Sequence, residues 1–198
     1  MGGTGVVLAI EGGQNHMSFF KQYILHPRSV GAVKASSKHL AEKMIEDVNF
    51  NEAENIIEIG AGTGAFTEKL VNAKQEETRL LIFEINDEFF KLLQKKYKNI
   101  HNVYVIHDTA EHMSRQMKKH KISKADYIIS GLPFASLPRE VSVRILKECR
   151  RNLKMGGSFI TFQYTRLKIP FLRHFFRRIS IKKEYKNIPP AYILNCKN

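Results

Sequence analysis

The sequence lacks the features of disulfide-rich, metal-cluster and membrane-spanning proteins. It has no tryptophan and only two cysteines, Cys149 and Cys196, which are too isolated for a disulfide framework or a zinc motif. Its eight histidines show no paired spacing with cysteine or carboxylate. No apolar run approaches the roughly 20 residues that cross a bilayer. We therefore expect a cytoplasmic protein without a metal, either soluble or peripherally bound to the inner face of the membrane.

Acidic residues are also scarce. The chain has 19 Asp and Glu against 32 Lys and Arg, which gives a formal net charge of +13. This excess favours polyanionic partners and leaves both nucleic acid and anionic lipid open. A length of 198 residues with 43% hydrophobic content is typical of a single domain with one core.

The first 16 residues differ from the rest of the chain. They are glycine-rich, carry one formal charge at Glu11, and lead into His16-Met17, a junction common in recombinant proteins. No basic leader precedes the short apolar run 6–10, which argues against a signal peptide. We interpret residues 1–16 as an expression scar or a disordered leader, and residues 17–198 as a single domain.

That domain begins with an amphipathic stretch. Phe19, Phe20, Tyr23 and Ile24 share one side of a short helix that Pro27 ends. The helix either packs on the core as a lid or lies on lipid at the membrane interface, and the pattern leaves both open.

The most informative stretch is 56–67. An apolar, β-branched run is followed by Gly60, Gly62 and Gly64, and then by an amphipathic helix. Glycines here let the backbone turn tightly and let a ligand approach the amides at the start of the helix. Glu84, at the end of the next apolar run, stands where a ribose-binding carboxylate belongs, so the glycines alone also fit a dinucleotide site.

Apolar runs continue to alternate with helical patterns along the chain. Runs at 79–84, 103–107, 125–130 and 158–164, the last preceded by a turn at 155–157, predict a parallel sheet covered on both faces. Two further runs, 179–185 and 191–196, are joined by only five residues. They have no room for a crossover helix and should form an antiparallel hairpin.

The stretch from Glu58 to Gly64 resembles the first motif of class I S-adenosylmethionine-dependent methyltransferases. This resemblance implies an α/β, Rossmann-like fold with a mostly parallel seven-stranded sheet and a C-terminal antiparallel hairpin. It also implies S-adenosyl-L-methionine as cofactor, with Glu84 on the ribose hydroxyls and Asp108 on the adenine amine. The cofactor-binding residues implied are Ser36, Ser37, Glu58, Gly60, Gly62, Gly64, Glu84, Asp108, Ser130, Gly131 and Leu132.

The motif Ser-Gly-Leu-Pro-Phe at 130–134 bears on the substrate. Adenine N-methyltransferases, including the ribosomal RNA dimethylases, typically have Asn or Asp at the first position of a similar motif. The side-chain carbonyl of that residue accepts a hydrogen bond from the target amine. They usually also carry a helical domain after the hairpin, for which a chain ending at Asn198 leaves no room. The motif here resembles bacterial phospholipid N-methyltransferases instead, as do 30–37, 162–164 and 187–191. This resemblance implies methylation of phosphatidylethanolamine towards phosphatidylcholine, with an RNA adenine as the alternative substrate.

Four residues are candidates for the acceptor site. We expect Tyr164 to orient or deprotonate the amine, although a purely structural tyrosine fits equally. We expect Phe134 to face the developing ammonium, Arg166 to bind the lipid phosphate, and Ser130 to lie at the reaction centre.

The segment 166–186 carries eight basic residues against one acid, Glu184, with aromatic residues interleaved. An anionic membrane surface and single-stranded RNA both select that pattern.

Overall fold

The structure is a computed structural model that describes residues 39–187 and 189–198. The predicted leader at 1–16, the amphipathic helix around Phe19 and the two serines Ser36 and Ser37 lie outside the described residues.

One seven-stranded sheet runs through the molecule in the order β3-β2-β1-β4-β5-β7-β6. Strands β1 to β5 pair in parallel, and β7 pairs antiparallel with both β5 and β6. The predicted fold class and C-terminal hairpin are therefore confirmed. The strands are β1 (Asn55–Ile59), β2 (Arg79–Phe83), β3 (Val103–Ile106), β4 (Ala125–Ser130), β5 (Leu153–Gln163), β6 (Arg178–Glu184) and β7 (Ala191–Lys197).

Helices cover both faces of this sheet. The first, α1, comprises 39–45 at the start of the described chain. The others are α2 (Ala65–Ala73), α3 (Asp87–Tyr97), α4 (Met113–Lys119, after a 3-10 turn at Ala110–His112), α5 (Arg139–Asn152) and α6 (Ile169–Leu172).

Alternate residues of the strands face two separate apolar layers. Ile56 packs with Met44, Leu70 and Leu93 of α1, α2 and α3. On the other face, the next residue, Ile57, belongs to the layer that contains side chains of α4, α5 and α6. Both faces of the central strands are buried, which is why their sequences read as continuous apolar runs.

The predicted turn at 155–157 was wrong. Strand β5 begins at Leu153, and its pairing with β4 moves from Ala125–Leu153 to Tyr127–Ser158, so the intervening residues form a bulge within the strand. Gly156 has φ of +81°, and a Cβ on Gly157 would lie 2.7 Å from the carbonyl oxygen of Asp126. Glycine suits both positions, because position 156 has a positive φ and position 157 lies too close to the backbone of Asp126 to carry a side chain.

The parallel pairing brings the ends of five strands together. Strands β1 to β5 end at Ile59, Phe83, Ile106, Ser130 and Gln163, on what we call the carboxyl edge of the sheet. The segments that follow these strands therefore lie at one edge, where ligands of open α/β sheets bind.

Candidate active site

The glycine loop, residues 60–64, connects β1 to α2 at the carboxyl edge. Gly60, Gly62 and Gly64 have φ of +70°, +57° and +87°, values that L side chains rarely adopt. The amide of Gly60 donates to the carbonyl of Phe83 at 2.9 Å, which holds the loop against the end of β2.

The glycine loop also touches the segment that follows β4. A Cβ on Gly131 would collide with the carbonyl oxygen of Gly60, and a Cβ on Gly60 would collide with the side chain of Leu132. The amide of Gly131 donates to the carbonyl of Ile59 at 2.9 Å. The segments after β1 and β4 are thus in backbone contact, which side chains at these glycines would prevent.

Glu84 supports the glycine loop from the neighbouring strand. Its carboxylate is buried, and its Oε2 accepts from the amide of Gly62 at 2.7 Å. Its Oε1 accepts from the amide of Asn86 at 2.8 Å. Each of these carboxylate oxygens can accept one further hydrogen bond. The geometry therefore permits the predicted contact with ribose hydroxyls, which stays a prediction.

Glu58 lies beneath the loop with no exposed surface. Its Oε2 accepts from the Thr67 hydroxyl at 2.7 Å, while its Oε1 has no partner among the described residues. Burial raises the pKa of Glu58 to about 8, the Thr67 hydrogen bond opposes that rise, and the charge of Glu84 adds to it. A buried carboxyl group with one unpartnered oxygen is unusual for simple packing and typical of functional sites.

Asp108 follows β3 and is bound by its own chain. Its Oδ1 lies 2.8 Å from both the Thr109 amide and His112 Nδ1, and its Oδ2 accepts from Arg115 at 2.7 Å and Gln116 at 2.6 Å. Burial raises the pKa of Asp108, but these hydrogen bonds outweigh it and hold the pKa well below its usual range. The predicted contact with an adenine amine stays a prediction, and it requires one of these four donors to give way.

A cleft at the carboxyl edge brings several predicted residues together. It combines two carboxylates with apolar walls, the composition of a small-molecule site, in a cavity of about 80 Å³. Its lining comprises Gly60, Phe83, Glu84, Ile85, Asp108, Thr109, Ala110, Leu132, Leu137, Pro138 and Ile145. Leu137 and Pro138 follow the 130–134 motif and share its resemblance to phospholipid N-methyltransferases, but neither they nor Ile145 were predicted as site residues.

Ser130 and Phe134 are both buried. The Ser130 hydroxyl accepts from the amide of Leu132 at 3.2 Å and so closes its own turn. The ring of Phe134 packs edge-on against Phe159 with centroids 6.2 Å apart. Phe134 therefore belongs to the core. The predicted contact of Phe134 with a substrate ammonium stays a prediction, and the burial of its ring does not favour it.

Tyr164 and Arg166 lie at the carboxyl edge but not in the lining of the cleft. The ring of Tyr164 is edge-on to Phe162 at 5.5 Å. Burial raises the pKa of Tyr164, and a hydrogen bond with the Asn187 side chain offsets part of that rise. The Arg166 guanidinium lies 5.0 Å from the ring centroid of Tyr192. Both residues are therefore beside β5 and β7, on the other side of β4 from Glu84.

Gln163 is a polar residue that sequence analysis quoted only as part of a motif. It is the last residue of β5, is 3% exposed, and its Nε2 has no partner among the described residues. The signal available in the sequence was a polar residue at the end of an apolar strand, which would have marked Gln163 as a candidate site residue. Nowhere in 39–187 or 189–198 do three or more His, Cys, Asp or Glu side chains group so as to hold a metal.

The family described as "Ribosomal RNA adenine dimethylase" matches residues 34–167, which include the glycine loop, Glu84, Asp108 and the 130–134 motif. The chain belongs to this family. It is an S-adenosylmethionine-dependent N-methyltransferase.

Two relatives illustrate the range of substrates. The ornithine lipid N-methyltransferase of Singulisphaera acidiphila is 25% identical over 184 residues, which cover 90% of this chain and 94% of that protein. The ribosomal RNA small subunit methyltransferase A of Hydrogenobaculum sp. is 41% identical over 63 residues, which cover 32% of this chain. That match spans about a quarter of the ribosomal enzyme's length (24%).

A solved structure supports the fold. The N-methyltransferase NodS from Bradyrhizobium japonicum WM9, in complex with S-adenosyl-L-homocysteine, has a TM-score of 0.66 and 12% identity. The similarity covers 92% of this chain and 97% of that chain. Within the part of our chain that the structure describes, no helix combines the length and the apolar character of a membrane span.

Proposed function

We propose that this protein methylates the amine of a membrane lipid head group, with phosphatidylethanolamine as the first acceptor. The observation that carries this proposal is the identity and the hydrogen bonding of residue 130, which is Ser130. Its hydroxyl is buried and engaged by the amide of Leu132, at the position where adenine methyltransferases typically present an Asn or Asp carbonyl to the target amine. The position therefore lacks the planar side-chain carbonyl that those enzymes present to a base amine.

The relatives support the same choice. The lipid methyltransferase from Singulisphaera acidiphila matches 90% of this chain, whereas ribosomal RNA methyltransferases match between 32% and 69% of it. Ornithine lipid and phosphatidylethanolamine share a primary amine on a lipid, so this shared chemistry defines the proposed acceptor and the test must separate the two lipids.

The residues at the carboxyl edge fit the cofactor. The glycine loop places backbone without side chains close to the cleft, and Glu84 retains acceptor positions for ribose hydroxyls. Beneath the loop lies Glu58, whose Oε1 has no partner within 39–187 or 189–198. We assign Asp108 to the adenine amine and Leu132 to the apolar wall, and we retain Ser36 and Ser37 from the sequence. S-Adenosylmethionine, when bound, supplies an electrophilic methyl group on a sulfonium.

The chain's own residues must then align and deprotonate an amine. A lipid amine titrates near pH 10, by analogy with lysine, so it arrives protonated. The raised pKa of Tyr164 keeps its hydroxyl protonated at neutral pH, which suits a hydrogen-bonding role that orients the amine and disfavours a role as base. Arg166 offers a planar fork to the lipid phosphate. Alignment is then the main catalytic contribution, and the proton leaves to water.

RNA adenine methylation is the second candidate. The family match and the net charge of +13 favour it, since a basic surface attracts RNA as it attracts anionic lipid.

The deciding experiment measures methyl transfer from radiolabelled S-adenosylmethionine. Phosphatidylethanolamine vesicles, ornithine lipid vesicles and unmodified ribosomal RNA are offered separately. Label in either lipid supports the proposal and identifies the head group, whereas label in RNA alone overturns it. Tyr164→Phe should lower the lipid rate about tenfold, with Tyr104→Phe, a tyrosine of β3 outside the cleft lining, as the matched control.

A further inference from the structure

Two segments beyond the cleft share the carboxyl edge. Residues 164–168 follow the end of β5 at Gln163. Gln163 pairs with Tyr192, and Glu184 pairs with Ala191, so the turn between β6 and β7 lies at the same edge. We call residues 164–168 and 183–187 the docking rim.

The docking rim exposes large apolar side chains. Leu167 is 83% exposed, Tyr185 71% and Tyr164 41%. The apolar residues just after the rim behave differently, since Ile169 and Leu172 of α6 are buried in the core. The three most exposed large apolar side chains in 164–187 therefore lie in the two segments, and such a cluster is typical of an interaction surface.

Cations surround these side chains. Arg166 and Lys183 contact the ring of Tyr192 from 5.0 and 5.7 Å, and Lys183 also lies 4.4 Å from the ring centroid of Tyr185. Lys168 and Lys186 complete the set. The single acid among residues 164–191 is Glu184, which is buried and accepts from the amide of Lys186 at 2.6 Å. The rim therefore presents positive charge without an exposed carboxylate.

The two segments are joined to each other. Arg166 of the first segment and Lys183 of the second contact the same ring, that of Tyr192, and Asn187 Nδ2 donates to the carbonyl of Pro189 at 2.7 Å. Asn187 is buried in this contact. The rim is thus one surface made from two parts of the chain.

We propose that the docking rim binds an anionic lipid bilayer, with Leu167 and Tyr185 entering the interfacial region and the cations contacting lipid phosphates. Exposed apolar anchors among cations are what an anionic membrane surface selects. Single-stranded RNA stacks on aromatic faces, which Tyr185 and Tyr164 offer, but Leu167, the most exposed side chain of the rim, has no such face. Docking in this way turns the carboxyl edge and its cleft towards the bilayer. The inference deepens the proposed lipid methylation and rests on it for its purpose, while the binding itself is measured separately.

The first test is sedimentation with vesicles rich in phosphatidylglycerol. The double variant Leu167→Ser and Tyr185→Ser should bind about tenfold more weakly than the unaltered protein. Met155→Ser is the matched control, because Met155 is 97% exposed but lies near the start of β5, at the opposite edge of the sheet. Equal binding by the double variant and the unaltered protein would overturn the proposal.

The second test addresses charge. Lys183→Glu with Lys186→Glu should also weaken vesicle binding at least tenfold and remove most of its dependence on salt. The control pair is Lys118→Glu with Lys119→Glu, exposed lysines in the last turn of α4, which leads to the start of β4 at the opposite edge. Equal losses in both pairs would mean that net charge, not the rim, binds the bilayer.

Activity separates this proposal from the proposed function. Lipid dispersed in detergent micelles needs no bilayer docking, so the rim variants should methylate it at the unaltered rate while losing activity on vesicles. Rim-dependent vesicle binding without any lipid methylation would refute the proposed function and keep the docking surface. Loss of ribosomal RNA binding with intact vesicle binding would overturn docking and identify an RNA surface. Circular dichroism melts confirm that each variant is folded.

Discussion

Glu58 offers a direct test of how the glycine loop is supported. Glu58→Gln preserves the shape of the side chain and an oxygen that can accept from the Thr67 hydroxyl, but the amide of the variant cannot ionise. In the folded protein, burial raises the pKa of Glu58 to about 8 from an ordinary value of 4.5. The unfolded chain therefore releases this proton at a lower pH than the folded chain does.

The magnitude follows from that difference. The contribution of neutral Glu58 to stability is fully present below pH 4.5 and is lost as the pH rises through about 8. Within this window the free energy of unfolding should fall, relative to the Gln variant, with a slope of up to about 1.4 kcal/mol per pH unit. The total reaches about 5 kcal/mol at most, comparable with the stability of many domains.

Urea denaturation of both proteins between pH 5 and pH 9 measures this effect as a difference, in which the other titrating groups cancel. Two parallel curves would show that Glu58 is already ionised in the folded protein and would refute the reasoning. Thr67→Val removes the hydrogen bond that favours the carboxylate. That variant should therefore move the titration of Glu58 to higher pH.

Three further predictions concern the neighbouring segments. Gly131→Ala should lower S-adenosylmethionine affinity at least tenfold in calorimetry, because its Cβ would collide with the Gly60 carbonyl, and should lower the free energy of unfolding by about 1–3 kcal/mol. Asp108→Asn should cost about 1–3 kcal/mol in thermal unfolding at neutral pH, because it loses the charge that Arg115 pairs with. The folded pKa of Asp108 is depressed, so this cost should be present above pH 3.8 and should shrink as the pH falls below it. Asn86→Ala should cost about 1 kcal/mol in urea denaturation, because the Asn86 side chain caps two amides of α3.

The sheet was predictable because its central strands are buried on both faces. Strand β4 has the predicted bounds Ala125–Ser130, and the hairpin followed from a connection too short for a helix. The bulge in β5 was not predictable in the same way. A glycine pair reads as a turn unless the pairing with β4 is known, and that pairing depends on a strand almost thirty residues away.

The candidate site was predictable in its backbone and less so in its side chains. Glu84 and the glycines occupy the expected edge, because strand ends and glycine spacing fix where a backbone turns. The partners of Asp108 were missed, although Arg115 lies seven residues later at helical spacing. The packing of Phe134 against Phe159 was not predicted, because a motif does not indicate which face of the sheet a side chain will cover.

The topology explains why the proposed acceptor residues lie apart from the cleft. The strand order reverses between β1 and β4, and this is where Gly60 and Gly131 meet. The proposed cofactor residues Glu84 and Asp108 follow β2 and β3, while Tyr164 follows β5 beyond β4. In the proposed arrangement the methyl group passes between the two halves near the Gly60–Gly131 contact. A side chain at either glycine should therefore lower the rate of transfer even where the fold tolerates it.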